Sequence, residues 1–219
     1  MKNLKNALLL KQLYLMKQLG YNYTSVTAFK EDEPDLTLPN TLEKLRKQAQ
    51  ECHLCQLSKS RTQVVFGEGN INAEILFVGE APGMSEDTSG KPFAGKSGDM
   101  LTKMIEKVLL ISRQDVYITN IVKCRPANNT VPSPSEAHSC HPYLLKQIEL
   151  IKPKIIIALG ETAYHYLSGD DSTIEDVRGN MQELHGYKLM PTYHPSFLLR
   201  NPSAKKDVLE DLKLVKKMM

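Results

Sequence analysis

Residues 75–83 read ILFVGEAPG, an apolar run that ends at Gly79 and passes into a short polar turn. A continuous apolar run of about five residues is typical of a strand that is buried on both faces, as in a parallel sheet. Three further runs of this kind lie at residues 116–120, 154–159 and 188–192. The four runs therefore predict four strands of one sheet.

Helical patterns separate these predicted strands. Apolar residues recur at intervals of three and four between Met100 and Val108, as on one face of a helix. Residues 133–136 read SPSE, which combines an N-cap serine, a proline in the first turn and a capping-box glutamate. Other helices are expected from Thr41, through Leu167 and from Ser203. Alternating strands and helices predict an α/β protein, a three-layer α/β/α sandwich with a central, mainly parallel four-stranded sheet.

The first 45 residues differ in composition from the rest of the chain. Residues 4–19 place six apolar side chains roughly on one helical face, which predicts an amphipathic helix. Residues 21–40 carry one basic residue, four acidic residues and two prolines, as in a linker. We therefore expect an N-terminal helical extension with an acidic linker over residues 1–45, and one domain over residues 46–219.

Composition limits the classes of protein to consider. The chain has 219 residues, of which 41% are hydrophobic and 24% are charged, and its net charge is +3. This balance is typical of a globular protein and excludes a disordered or collagen-like chain. The most apolar run, residues 155–159, is far shorter than the ~20 residues that a membrane-spanning helix needs. Lys11 also interrupts the apolar N-terminal run too early for a signal peptide, so we expect a cytoplasmic protein with no membrane partner.

Polar side chains follow the predicted strands at the points where the strands end. Glu80 follows the first strand, Asn120 ends the second, Glu161 follows the third and His194 follows the fourth. Ligands of open parallel sheets bind beyond the carboxyl ends of the strands, so these side chains are expected to share one rim. Gly, Pro and Asn also make ordinary turns, and for each position taken alone that explanation stays open.

One stretch matches a motif whose structural context is wrong. Residues 90–97, GKPFAGKS, fit the pattern of a phosphate-binding P-loop. A true P-loop follows a strand directly, because its backbone N–H groups form a cradle at the N-terminus of the next helix. Here ten residues separate the pattern from Gly79, and Pro92 removes one N–H donor. The context argues against a P-loop NTPase.

The chain has four cysteines, a C-x-x-C pair and two at irregular spacing: Cys52, Cys55, Cys124 and Cys140. In a reducing compartment such cysteines are metal ligands more often than disulfides. Four thiolates suit a [4Fe–4S] cluster or structural zinc, although usual zinc modules have two compact pairs. Four unrelated thiols remain an alternative, and His53 or His141 could compete as ligands.

Together these features resemble the family 4 uracil-DNA glycosylases, the iron–sulfur branch of the uracil-DNA glycosylase superfamily. The resemblance covers about 150 residues, from Cys52 to Arg200, in the family's order. Its blocks are the C-x-x-C pair, GEAPG at residues 79–83 with Glu86 and Asp87, GKPFAGKSG at 90–98, TNIVKCRP at 119–126, Cys140, and YHPSFLLR at 193–200. The stretch that matches a P-loop looks like the family's base-stacking segment.

The resemblance implies a DNA repair enzyme that flips uracil out of DNA and hydrolyses its N-glycosidic bond, leaving an abasic site. It implies that Phe93 stacks on the flipped uracil, that Asn120 bonds its Watson–Crick edge, and that His194 donates to O2 of the departing base. It also places Glu80 and Glu86 near the sugar and the attacking water. These residue types agree with the reaction, because enzymes recognise a flipped base by hydrogen bonds to its edge and by stacking on its face.

The resemblance further implies contacts with DNA and with a cofactor. Ser196, Leu198 and Arg200 are expected in a loop that presses into the duplex. The four cysteines are expected to hold a [4Fe–4S] cluster, with zinc as the less expected occupant. The implied partner is uracil-containing DNA, single- or double-stranded, and the protein is expected to be a monomer without lyase activity.

The sequence departs from the pattern in the base-binding segment. Ala81 stands where other branches of the superfamily have an Asp or Asn that orients water. Either Glu80 or Glu86 takes over that role, or binding energy and stabilisation of the uracil anion suffice without a water-activating residue. The alternative function is that of a non-catalytic Fe–S nucleic-acid-binding protein on the same fold.

Overall fold

The computed structural model describes residues 38–184 and 186–219. The helix predicted at residues 4–19 and most of the predicted linker lie outside these residues. The described chain begins with helix α1 (Leu42–Gln50), whose N-cap Thr41 accepts from the N–H of Lys44. The domain boundary predicted between residues 45 and 46 falls inside this helix.

The strands form one mixed sheet in the order β1-β3-β2-β4-β6-β5. They are β1 (Glu68–Gly69), β2 (Ile75–Gly79), β3 (Tyr117–Asn120), β4 (Ile155–Leu159), β5 (Gln182–Leu184) and β6 (Tyr187–Thr192). The four predicted strands are confirmed as β2, β3, β4 and β6, which pair in parallel. The prediction of four strands misses β1 and β5, which pair antiparallel at the two edges. These edge strands have two and three residues and are not buried, so they leave no apolar run in the sequence.

Helices connect the strands. They are α2 (Met84–Ser89), α3 (Lys96–Met104), α4 (Pro134–Ile151), α5 (Glu161–Ser168), α6 (Ile174–Val177), α7 (Pro195–Arg200) and α8 (Lys205–Lys216). The capping box before α4 is confirmed, because Ser133 Oγ accepts from the N–H of Glu136 and Glu136 Oε2 accepts from the N–H of Ser133. Residues 196–200, expected as a loop, lie in α7 instead. None of the described helices is long and apolar enough to cross a membrane.

Side chains that alternate along β4 show the three layers. Ile157 packs in the main core cluster with Leu101 of α3 and Leu212 of α8. Ile156, the preceding residue, points to the other face of the sheet, where it lines an apolar cavity with Ile148 of α4. Helices thus cover both faces, and the carboxyl ends of the parallel strands are left at one edge.

Candidate active site

The parallel register of β2 and β3 brings two predicted site residues together. Gly79 pairs with Asn120 at the carboxyl ends of the two strands. A Cβ atom at Gly79 would lie 2.5 Å from Asn120 Oδ1 and 2.7 Å from Phe93 Cζ. Glycine is therefore required at this position, because a side chain would enter the space between the amide and the aromatic ring.

The side-chain amide of Asn120 is buried and incompletely bonded. Asn120 is 2% exposed, and within the described residues its Oδ1 has no hydrogen-bond partner. A buried acceptor without a partner costs about 1–3 kcal/mol. A ligand with an N–H donor would remove this cost.

Phe93 is held in an unusual backbone conformation. Its φ is 51°, in the left-handed region that aromatic residues rarely adopt. Arg113 Nη2 donates to the carbonyls of Pro92 at 2.9 Å and Phe93 at 3.2 Å. Arg113 Nη1 donates to the carbonyl of Gly98 at 3.3 Å and to Thr102 Oγ1 at 2.9 Å. Burial lowers the pKa of Arg113, yet a guanidinium stays charged in proteins, so this clamp persists at neutral pH.

His194 lies at the N-cap of α7, with its ring centre 5.6 Å from that of Phe93. Its Nδ1 accepts from the N–H of Ser196 at 3.1 Å and lies 2.7 Å from Ser196 Oγ. Burial, and then the charge of Arg200, lower the pKa of His194 to about 4, while Glu86 acts in the opposite direction. His194 is therefore neutral near pH 7. Because Nδ1 accepts from a backbone N–H, we place the ring proton on Nε2, which becomes a donor.

Glu86 ties two loops of the site together. Its Oε1 accepts from the N–H groups of Ala94 at 2.9 Å and Gly95 at 3.1 Å. Its Oε2 accepts from the N–H of Gly83 at 3.0 Å. Both oxygens are thus engaged by backbone donors, which fix the turn before α2 against the turn before α3.

Glu80 and Ala81 follow β2, next to Gly79. Both are half-buried, and Glu80 Oε2 accepts from Thr162 Oγ1 of α5 at 2.5 Å. Ala81 contributes only a methyl group, so it cannot orient a water molecule. Among the donors found in the described residues, one side chain bonds the Glu80 carboxylate, whereas three backbone groups bond that of Glu86.

The segment that resembles a P-loop does not have the structure of one. Gly90 ends α2 with a φ of 73°, and Gly95 immediately precedes α3. The segment therefore links two helices, whereas a P-loop links a strand to a helix. It contains Phe93, whose ring lies close to Gly79, Asn120 and His194, and these four residues are called the pocket below.

The predicted DNA-contact residues lie on α7. Leu198 is 1% exposed and belongs to the main core cluster, so the predicted contact of Leu198 with DNA is wrong. The helix turns Leu198 inward and leaves its neighbour Leu199 44% exposed. Arg200 is exposed, and the N–H of half-buried Ser196 is bonded to His194. Leu199 is thus the exposed large apolar side chain of α7.

All four cysteines line one cavity. Two lie just after α1, one follows β3 and one lies in α4: Cys52, Cys55, Cys124 and Cys140. His53 and His141 are not among its lining residues. Across residues 38–184 and 186–219, no three His, Cys, Asp or Glu side chains converge closely enough to hold one metal ion. The thiols are therefore spread around the cavity and do not meet at a single point.

Burial disfavours the thiolate form in this cavity, but hydrogen-bond donors face two of the four sulfur atoms. Burial raises the pKa of Cys55 and Cys124 and raises that of Cys140 to about 12. Donors nevertheless face the sulfur atoms, since Arg61 Nη1 lies 3.2 Å from Cys124 Sγ and the backbone N–H of Lys123 donates to Cys140 Sγ at 3.3 Å. Thiolates bound to a positive metal group would gain from these donors.

Lys123 is a buried residue to which the sequence analysis gave no role. It is 2% exposed, and its Nζ donates to Thr119 Oγ1 at 2.7 Å and to the carbonyl of Asn120 at 2.6 Å. Burial lowers its pKa to about 8, and the neighbouring Cys140 and Cys124 oppose this shift. Lys123 stands inside the TNIVKCRP block, but the motif assigned it no contact. Arg113 lies outside every block, so no motif indicated its contact with the Phe93 backbone.

Comparison with known proteins identifies the family. A sequence model of the Uracil DNA glycosylase superfamily matches residues 66–213. A type-4 uracil-DNA glycosylase of Thermotoga maritima is 46% identical over 184 residues, which cover 82% of this chain and 95% of that protein. A type-4 uracil-DNA glycosylase of Saccharolobus solfataricus is 45% identical over 188 residues, covering 82% and 87% of the two chains. The chain therefore belongs to the uracil-DNA glycosylase superfamily, and within it to the type-4 enzymes.

Proposed function

We propose that this uracil-DNA glycosylase, a DNA repair enzyme, binds a flipped uracil between Phe93 and Asn120 and releases it by hydrolysis of the N-glycosidic bond. The observation that carries the proposal is the buried Asn120 Oδ1, which has no partner within the described residues. The relatives, at 45% and 46% identity, are named as enzymes, so the non-catalytic alternative is not favoured.

Recognition follows from the hydrogen-bonding groups of the base. Uracil carries an N3–H donor beside the O4 acceptor, which match the Oδ1 and Nδ2 atoms of Asn120. Cytosine carries an acceptor at N3 and a donor at N4, so both contacts would be lost. Phe93 supplies a rigid aromatic face for the base, because Arg113 fixes its backbone.

Departure of the base requires stabilisation of negative charge on uracil. A neutral His194 with its proton on Nε2 is a donor for O2, where that charge develops. The N–H of Ser196 fixes the ring through Nδ1, so Nε2 needs no reorientation during the reaction. The acceleration comes from a donor that is positioned before the bond breaks.

The attacking water requires an acceptor near the sugar. Glu80 suits this role better than Glu86, because the three donors that Glu86 has among the described residues are backbone groups that tie loops together. Ala81 offers no acceptor side chain. Glu80 thus positions the water, and Glu86 holds the pocket in shape.

The cysteine cavity supports a [4Fe–4S] cluster better than zinc. Its four thiols suit a cluster, whereas no three potential ligands in the described part converge on one ion position. When bound, the cluster would supply a covalent tie between the end of α1, the end of β3 and α4. The donors on Cys124 and Cys140 would stabilise the charge of its sulfur ligands.

The partner proposed is uracil-containing DNA, either single- or double-stranded, bound by a monomer. Exposed Leu199 and Arg200 on α7 support a DNA contact beside the pocket. A cytoplasmic location agrees with four cysteines that form no disulfide.

The direct test is strand cleavage of single- and double-stranded oligonucleotides that contain one uracil, thymine or cytosine. Cleavage confined to uracil and revealed only by alkali would support a monofunctional glycosylase. Equal treatment of the three bases by an iron-loaded preparation would contradict the proposed role of Asn120.

A further inference from the structure

Lys123 is bonded to both functional regions. Its backbone N–H donates to Cys140 Sγ at 3.3 Å, and its ammonium donates to the backbone carbonyl of Asn120 at 2.6 Å. Its own carbonyl accepts from the N–H of Val65 at 2.8 Å, which fixes the main chain at this point. One residue thus links a proposed cluster ligand to the residue that reads the base.

The chain between Asn120 and Lys123 is also fixed. The N–H of Ile121 donates to the carbonyl of Gly79 at 2.8 Å, and the N–H of Val122 donates to that of Glu80 at 3.2 Å. The ammonium of Lys123 therefore folds back over a short, hydrogen-bonded turn to reach the Asn120 carbonyl. Because the turn is tight, its end at Asn120 follows the position of Lys123.

Burial of the Lys123 ammonium costs desolvation free energy that an apolar side chain would not cost. Lysine is almost never fully buried unless it is paired, and within the described residues no carboxylate forms an ion pair with Lys123. Its oxygen partners are the neutral Thr119 Oγ1 and the Asn120 carbonyl. An apolar side chain of similar length would avoid the desolvation cost, so the ammonium needs a purpose beyond packing.

We propose that Lys123 is a positioning residue that couples the cysteine site to uracil recognition. Its ammonium fixes the Asn120 carbonyl, and so sets where Oδ1 and Nδ2 point. Its backbone N–H ties this point to the sulfur of Cys140. The inference rests on the proposed function, in which Asn120 reads the base and the four cysteines hold the cluster.

The test compares binding of uracil with binding of cytosine by the iron-loaded protein, because cytosine exchanges the donor and the acceptor that Asn120 contacts, whereas thymine keeps both. The probe is a duplex with one 2′-fluoro-2′-deoxyuridine, whose glycosidic bond resists cleavage because fluorine destabilises the developing cationic sugar. The reference duplex has 2′-fluoro-2′-deoxycytidine at that position. Lys123→Met is expected to lower the ratio of the two affinities by about tenfold, as for a lost charged hydrogen bond. Its iron content and visible absorbance are expected to match the wild type, which a general loss of structure would not allow.

Gln147→Met is the matched control. Gln147 is 0% exposed and its Nε2 donates to the carbonyl of Phe66 at 2.8 Å, while its Oε1 lies 3.3 Å from Thr119 Oγ1. This change removes a buried polar group from the same network without touching Asn120. The affinity ratio is expected to stay at the wild-type value, and an equal fall in both variants would overturn the positioning role.

Removal of iron tests the link to the cysteines. Removal of iron is expected to lower the affinity ratio of the wild type. In Lys123→Met, where this ratio is already low, removal of iron is expected to cause no further fall. Independent, additive losses would overturn the coupling. If Lys123→Met does not fold, Thr119→Val removes one partner of the ammonium, and a ratio identical to wild type there would refute the proposal.

Failure of the proposed function gives different results. A wild-type protein that binds both duplexes equally would contradict base reading by Asn120 itself. A colourless, iron-free wild type that still discriminates would contradict the cluster and with it the coupling, while Lys123→Met would continue to test the positioning of Asn120.

Discussion

The pocket and the cysteine cavity share one short segment, residues 119–126, but they differ in whether their buried polar atoms have hydrogen-bond partners. In the pocket, Asn120 Oδ1 has no partner among the described residues. In the cavity, Arg61 and the backbone of Lys123 already donate to sulfur atoms. A free acceptor suits the transient ligand that we propose for the pocket, whereas donors already in place suit the permanent cluster that we propose for the cavity. Substitutions in the pocket should change rates, and those in the cavity should change stability.

The largest expected effect is that of His194→Ala on the chemical step. Loss of the O2 donor should lower the single-turnover rate by ~10²–10³, whereas loss of the N-cap of α7 should lower the free energy of unfolding by only about 1 kcal/mol. His138→Ala, which removes an exposed imidazole from α4, is the control and should keep the wild-type rate. An unchanged rate in His194→Ala would contradict the proposed role of His194 as the donor to O2.

The converse pattern is expected for Cys140→Ser. Loss of one ligand should abolish the visible absorbance and lower the free energy of unfolding by about 3 kcal/mol or more. At saturating DNA, the rate of the chemical step in the folded fraction should fall less than tenfold. Ser139→Ala, at the neighbouring position in the same cavity, should retain iron and stability. A stable, coloured Cys140→Ser protein would break the contrast between the two regions.

A smaller effect that falls between the two classes is expected for Arg113→Met. The left-handed turn at Phe93 loses its clamp of four hydrogen bonds, so KM for uracil-DNA should rise by about tenfold while kcat changes less. The measurement is steady-state cleavage across substrate concentration, with exposed Lys103→Met on α3 as the control. A fall in kcat alone would mean that Arg113 acts on the chemistry and not on the position of the ring.

The smallest effect is the titration of His194. Its pKa is about 4 in the folded protein, below the ordinary value of 6.5, so the unfolded chain takes up the proton first as the pH falls. The free energy of unfolding is therefore unaffected by His194 above pH 6.5 and decreases as the pH falls from 6.5 towards 4. NMR titration of the imidazole should give a midpoint near 4, and a midpoint near 6.5 would show that the ring is not desolvated.

The sequence predicted the parts of the site that depend on strand order. Apolar runs located the four parallel strands, and parallel strands bring Gly79 and Asn120 to one edge whatever the loops do. It could not predict side-chain contacts across long separations, such as that of Arg113 with Phe93. Leu198 and Leu199 show that neighbouring residues are also difficult to assign. In a loop either leucine could face DNA, but in the helix at residues 195–200 Leu198 is buried and Leu199 is exposed.

The Asn120 oxygen that lacks a partner among the described residues also bears on the end of the proposed catalytic cycle. Free uracil carries the same N3–H and O4 groups after the glycosidic bond has broken, so it relieves the same desolvation as the nucleotide did. The enzyme is therefore expected to retain its product, and free uracil should compete with damaged DNA for the pocket. The atom that we propose makes the enzyme selective for the lesion is thus also expected to delay release of the product before the next cycle.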